Sequence, residues 1–222
     1  MPSLPRTVKI MLVESLRDKI LLGELVPGQH LRLEEIANSY EVSTMPVREA
    51  LNDLEAEGLV TIFPHRRTIV TELSAQDLED IYDIRVTLEA MAARLAVPRV
   101  TPEILDQLGQ YIEEMDAHFT EMAVLIKLNH DFHLTLYKAS GRRHLVELTQ
   151  MLRYRTRHYL HAYIADLGGM LLAQNEHREI VAACESGDAD RAAEIISHHV
   201  IHVGRELINF VRKQEAAKKV NQ

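Results

Sequence analysis

Val42-Ser43-Thr44-Met45-Pro46-Val47-Arg48-Glu49-Ala50-Leu51, followed at once by Asn52-Asp53-Leu54-Glu55-Ala56-Glu57-Gly58-Leu59-Val60, decides how this chain is read. Ser43 supplies a polar N-cap, Pro46 falls in the first helical turn and Gly58 closes the helix. Upstream, Leu33, Ile36 and Ala37 are spaced like the buried face of a short supporting helix. Downstream, Leu59 to Phe63 and Thr68 to Thr71 read as two strands around Pro64-His65-Arg66-Arg67. The pattern predicts a winged helix-turn-helix whose second helix offers its N-terminus to DNA.

Outward from this motif, the 222 residues, 46% hydrophobic, suffice for two compact domains or one large one. A boundary falls at Glu72-Leu73-Ser74-Ala75-Gln76-Asp77, where Ser74 can cap a new helix and Asp77 follows three residues on. The predicted units are therefore 1–73 and 74–222. The single cysteine, Cys184, excludes an intramolecular disulfide and suits a reducing cytoplasm as a small buried helix residue. No apolar run approaches the roughly 20 residues of a membrane span. The first 22 residues interleave Arg6, Lys9, Glu14, Arg17, Asp18 and Lys19 with apolar positions, so neither a signal peptide nor a membrane partner is expected.

The formal net charge of -8 runs against DNA binding, which normally needs a basic footprint. Residues 1–73 themselves hold eight Lys or Arg against eleven Asp or Glu. The basic charge is local: residues 59–71 contain His65, Arg66 and Arg67 with no acid, and Arg48 lies one turn into the second helix. The acids are expected away from the contact face, reducing nonspecific affinity.

From residue 75 onward there is no strand signal. Helices are predicted over roughly 75–96, 102–116, 119–139, 143–166, 169–186 and 189–213, punctuated by Pro98, Thr101-Pro102, Ser140-Gly141 and Ser186-Gly187-Asp188. The fold class is thus mostly α, an all-helical bundle of about six helices behind the winged domain. Arg212, Lys213, Lys218 and Lys219 read as a solvated, frayed tail rather than a second DNA contact.

Histidines carry the chemistry of the second unit. His177 shares a helical stripe with Ala173, Ile180, Val181 and Cys184, and His199 with Ala192, Ile196 and Val203. Asn129 and His133 stand one turn apart beside Ile126, Leu136 and Tyr137. Three imidazoles and an amide oxygen from three helices can converge on a divalent metal such as zinc or nickel, with copper or iron also suited to imidazole. The alternative is a set of hydrogen-bonded core histidines. His198 and His202 read as surface or rim, and His130, His144, His158 and His161 carry little ligand signal; His130 and Asp131 are expected to point away from the Asn129 and His133 edge. The fourth helix of the bundle, with Arg153, Tyr154, Arg155, Arg157, His158 and Tyr159, is expected to supply some pocket wall, but its arginines fall on every side and none is singled out.

These residues together resemble the GntR family of bacterial transcription regulators. Ser43 to Leu51 and Leu54 to Leu59 are similar to its helix-turn-helix. The C-terminal part resembles the FCD effector domain of the FadR subfamily in its shorter VanR-like form, through Arg85 to Glu89, Asn129 to His133, Ala139-Ser140-Gly141, Glu176-His177 and Gly187-Asp188 through Ala192 to His199. The resemblance covers about Val8 to Phe210. It implies a homodimeric, ligand-responsive regulator, expected to be a repressor, that binds a pseudo-palindromic operator and responds to a small organic acid in a metal-containing pocket. His133, His177 and His199 match metal-binding histidines, while Asn129 occupies the place where the family usually has aspartate, removing a negative charge opposite the cation. Arg85 matches a pocket arginine that can pair bidentately with an effector carboxylate; its alternative is an ion pair with Glu89.

The DNA side departs from the family too. Thr44 and Glu34 stand where arginines are usual, and Arg67 replaces a wing-tip glycine, whereas Arg48 is retained. Base readout is therefore assigned to Ser43, Thr44 and Arg48, with His65, Arg66 and Arg67 on the wing. Arg48 has an alternative as a surface partner of Glu49 or Asn52. The expected mechanism is a population shift between dimer arrangements, transmitted through Asp77 to Arg85. A different class, a metal-dependent hydrolase or lyase built on the three histidines, also fits an open coordination site, although no residue offers itself as general base.

Overall fold

A computed structural model describes residues 4–64, 67–160, 164 and 170–220. The chain forms two compact units, 1–73 and 74–222.

The first unit contains α1 (Leu4–Leu21), α2 (Leu33–Ser39), α3 (Thr44–Ala56), β1 (Val60–Phe63) and β2 (Arg67–Val70). Val47, Ala50, Leu51 and Leu54 form the buried stripe of α3 and join Leu12, Leu16 and Ile20 of α1 in one core. Two ion pairs clip these helices together: Lys9 Nζ lies 2.7 Å from Asp53, and Arg17 Nε donates to Glu57 Oε2 at 2.9 Å. Gly58 ends α3 with φ +76°, while its N–H and that of Leu59 donate to the carbonyls of Glu55 and Leu54. This Schellman closure explains why the helix stops where glycine appears. Ser43 precedes α3 in an extended conformation but makes no side-chain capping bond.

β1 and β2 pair antiparallel, from Val60 with Val70 to Phe63 with Arg67. β2 thus opens at Arg67, one residue before the predicted strand. The backbone of Gln29 and Leu31 continues the sheet on the other side of β2, through Val70 N–H to Gln29 O and Leu31 N–H to Thr68 O. That edge was not read from the sequence, and neither was α1, whose buried Leu12, Leu16 and Ile20 repeat at helical spacing.

The second unit contains six helices among the described residues: α4 (Ala75–Ala96), α5 (Pro102–Ala117), α6 (Met122–Ala139), α7 (Arg143–Thr156), α8 (Met170–Glu185) and α9 (Ala189–Val220). Ser74 and Asp77 form a reciprocal capping box at the start of α4. Thr101 caps α5 ahead of Pro102. Between α8 and α9, Gly187 adopts φ +71° and Asp188 Oδ1 accepts the Arg191 N–H at 2.9 Å. The helix predicted over 143–166 ends at Thr156 and passes into a 3-10 turn, Arg157–Tyr159. Its remainder falls mostly outside the described residues. The expected frayed tail is instead helix to Val220: Glu215 on α9 accepts the otherwise orphaned Ala75 N–H of α4 at 3.1 Å, and Arg212 pairs with Glu79. Among the described residues no helix is long and apolar enough to cross a membrane.

Candidate functional site

Two surfaces collect the residues singled out by sequence. On the first unit, Thr44 and Arg48 are exposed one turn apart on α3 and line a groove with Arg32, Glu34, Asn52 and Arg67. Ser43 is exposed at the helix entrance. Arg48 has no ion pair among the described residues, so the alternative pairing with Glu49 or Asn52 is not formed. Arg67 stacks its guanidinium 5.6 Å from the Phe63 ring. His65 and Arg66 lie outside the described residues. The acids Asp53 and Glu57 are turned to α1 and neutralised there by Lys9 and Arg17; Glu34 is the acid that stays in the groove.

In the second unit α6, α8 and α9 bring His133, His177 and His199 together, with one nitrogen of each within 4.8 Å of the others. Their ring centroids form a nearly equilateral triangle with sides of 5.1, 5.1 and 5.2 Å. The outer nitrogen of each ring faces a hydrogen-bond partner. His177 Nδ1 lies 2.9 Å from Gln174 Oε1, and Gln174 Nε2 donates to Asp116 Oδ1 at 2.8 Å and to the Ile112 carbonyl at 3.3 Å, which fixes the amide with its oxygen toward the imidazole. His199 Nδ1 lies 2.6 Å from Glu176 Oε2. His133 Nδ1 lies 3.3 Å from the Tyr137 hydroxyl, which donates its proton to Glu89 Oε2 at 2.6 Å.

Each Nδ1 therefore carries a proton, and the Nε2 atoms of His133 and His177 present lone pairs. Burial, then the Arg153 guanidinium and the neighbouring imidazoles, holds His133 well below the usual histidine range. Burial, then His199, does the same for His177. Neutral rings with Nδ1 tied outward are the form in which imidazole ligates metal. His133 Nε2 and His177 Nε2 meet at 3.3 Å, and with both Nδ1 atoms protonated neither can donate to the other. Two lone pairs facing each other in a buried interior form a donor set that fits a cation.

Beside the histidines lies a cavity of about 50 Å³, on the scale of a few water molecules, walled by Arg85, Asn129, His130, Arg153, Thr156 and His199. Asn129 is buried there one turn from His133. Arg85 forms the anticipated pair with Glu89, Nε donating to Oε1 at 2.6 Å, yet it also faces the cavity and donates from Nη1 to Thr156 Oγ1 at 3.0 Å. Arg153 Nη1 donates to Glu89 Oε2 at 2.7 Å. Two guanidiniums thus share one fully buried carboxylate, an excess of positive charge beside the cavity. Burial alone would raise Glu89, but Arg85, Arg153 and the Tyr137 hydroxyl outweigh it and bring the carboxyl down to about 2. Tyr82 lies under Arg85 with its ring centroid 4.4 Å from the guanidinium carbon.

His130 departs from expectation: it lines the cavity and packs its ring 5.1 Å from that of Tyr154, because the cavity wraps round the α7-facing flank of α6. Burial, then Arg153 and Arg157, pushes it down to about 4. His198 is exposed and His202 half-buried, as read, and His144 is exposed. His161 and the side chain of His158 lie outside the described residues. Sequence reading gave Gln174, Glu176 and Asp116 no part in holding the histidines; Gln174 stands three residues before His177 on one helix face, whereas Glu176 reaches His199 from another helix and leaves no local signal.

Both units match known protein families. Residues 80–202 match the FCD domain, and residues 10–70 match the bacterial regulatory proteins of the gntR family. An uncharacterized HTH-type transcriptional regulator, YdhC of Bacillus subtilis, is 32% identical over 149 residues, 66% of each chain. The HTH-type transcriptional repressor GlaR of Escherichia coli is 29% identical over 198 residues, covering 84% of this chain and 89% of its own. The solved structure of E. coli McbR/YncC superposes with a TM-score of 0.73 at 27% identity, over 97% of this chain and 100% of its own. These families and relatives are DNA-binding regulators rather than enzymes, so the hydrolase or lyase alternative has no support. The chain belongs to the GntR family of bacterial transcription regulators, its winged helix-turn-helix followed by an FCD domain.

Proposed function

We propose that this regulator works in the cytoplasm as a homodimeric repressor on a pseudo-palindromic operator and is controlled by a small carboxylate bound beside a divalent metal. His133, His177 and His199 hold the metal through Nε2, with the Asn129 amide oxygen as a fourth donor; zinc or nickel suits this set. Such an ion supplies a Lewis-acid position for one effector oxygen. Arg85 receives the effector carboxylate, and Thr156 and Glu89 keep that guanidinium oriented at the cavity wall. On DNA, Ser43, Thr44 and Arg48 enter the major groove, while Arg67, with His65 and Arg66, serves the wing.

The observation that carries this proposal is the convergence of one ring nitrogen from each of three buried histidines next to a cavity with two guanidiniums on its wall. The repressor name of GlaR supports the sign of regulation. Selection from a random duplex library at fixed salt, followed by titration of the zinc-loaded protein with small carboxylates, tests it. A two-fold symmetric site whose affinity falls on adding an acid is the expected result. Operator affinity unchanged by every small carboxylate sinks the effector assignment.

A further inference from the structure

Glu89 is fully buried on α4, yet it touches both halves of the site. Its Oε1 takes the Arg85 Nε proton, and its Oε2 takes protons from Arg153 Nη1 and from the Tyr137 hydroxyl. The hydroxyl has a single proton, and the 2.6 Å contact with a carboxylate commits it to Glu89. Toward His133 the Tyr137 oxygen can then act only as an acceptor, so the 3.3 Å contact is a hydrogen bond only in the Nδ1–H form of His133. That tautomer leaves Nε2 bare and facing His177.

Reversing one link reverses the rest. If Tyr137 loses its acceptor, its proton is free to turn to His133 Nδ1. The imidazole then carries its hydrogen on Nε2, where it cannot ligate. His177 and His199 have separate anchors in Gln174 and Glu176, so their tautomers do not depend on this chain. His133 is fully buried and absent from the cavity wall, whereas Arg85 and Arg153 form part of that wall.

We propose that Glu89, acting through Tyr137, is a positioning residue that sets the ligating tautomer of His133 and ties it to the arginine pair facing the cavity. An anion drawing Arg85 or Arg153 from Glu89 strengthens the hydrogen bond that Tyr137 donates to the carboxylate, and His133 registers the change through its own contact with the Tyr137 oxygen. Anion and cation binding are thereby linked, and linkage works in both directions. The metal end of this link rests on the function proposed above, but the tautomer does not.

The test uses the full chain, 15N-labelled, with long-range 1H–15N spectra of the metal-free protein to read histidine tautomers. Zinc affinity is measured separately by competition with a chromophoric chelator. Wild type should show His133 in the Nδ1–H form, and acetate should shift its ring nitrogens. In Tyr137→Phe the tautomer preference and the acetate response should vanish, His177 should be unchanged, and zinc should bind about 10–100-fold more weakly, the scale of an outer-shell loss. Glu89→Gln should show the same change where it folds; Tyr137→Phe leaves the Arg85–Glu89–Arg153 pairing whole and keeps the test decisive. If Tyr137→Phe retains the wild-type tautomer and zinc affinity, the relay is wrong. If wild type binds no zinc but Tyr137→Phe still switches the tautomer, the metal assignment fails and the relay stands.

Discussion

The Nε2 atoms of His133 and His177 stand 3.3 Å apart, each on a ring whose Nδ1 is already engaged. A cation held by both would replace lone-pair repulsion with ligation. Elemental analysis of untagged, dialysed protein should find about one divalent ion per chain, lost in His177→Ala. Zinc at a thousand times its dissociation constant should add about 4 kcal/mol to the stability of the metal-free protein. A melting temperature indifferent to zinc and to chelator would contradict this.

Asn129 faces the cavity without the negative charge an aspartate would bring. Asn129→Asp should tighten zinc binding by competition assay, because a carboxylate adds charge as well as an oxygen donor. Equal affinities would show that residue 129 does not reach the ion.

Acid should act on Glu89. Its folded value, about 2, lies below the ordinary 4.5, so its ionised form stabilises the fold above pH 4.5 and that contribution is lost as pH falls toward 2. Denaturation of wild type and Glu89→Gln as a function of pH isolates it from other carboxylates. Wild type should be the more stable at neutral pH, on the order of 3–5 kcal/mol if the two arginines are left uncompensated. The gap should close between pH 4.5 and 2. A gap constant across that range would mean that Glu89 is not held ionised.

Gly204 is the point where Tyr82 lies against the backbone of α9. A Cβ there would sit 2.5 Å from Tyr82 Cδ1 and 2.7 Å from Cγ, near the root of the ring where it cannot easily yield. Gly204→Ala gains about 1 kcal/mol of helix propensity, whereas overpacking costs about 1–3 kcal/mol. Net destabilisation in denaturant titrations is expected, together with weaker carboxylate binding as Tyr82 shifts beneath Arg85. Stabilisation would show that Tyr82 has room to move.

Arg48 is exposed and has no ion pair among the described residues, so Arg48→Ala should alter stability by no more than about 0.5 kcal/mol. Operator affinity should fall by about 1–3 kcal/mol with relaxed preference at one base pair if Arg48 reads a base. A uniform loss across sequences with a shallower salt dependence would assign it to phosphate instead.

Much of the local architecture was legible because it is written in short-range signals. Ser74 with Asp77, Gly58 and Gly187 act within one turn of chain, and α3 and the capped helices begin or end where those residues demand. The apolar stripes of α8 and α9 likewise aimed His177 and His199 inward. Errors arose where a distant partner decides: α9 continues past residue 213 because Glu215 and Arg212 engage α4. His130 faces the cavity because α7 completes a wall around that flank of α6.

The sequence by itself determined the helical register, the punctuation and the three imidazoles, since periodicity and caps depend on neighbours three or four residues away. Only the tertiary structure decided which nitrogen of each imidazole is engaged outward, and that two arginines share Glu89. Those facts depend on hydrogen bonds between residues far apart in the chain, such as Glu89 with Tyr137 and Glu176 with His199. In a dry interior each proton must have an acceptor, and only packing brings donor and acceptor together.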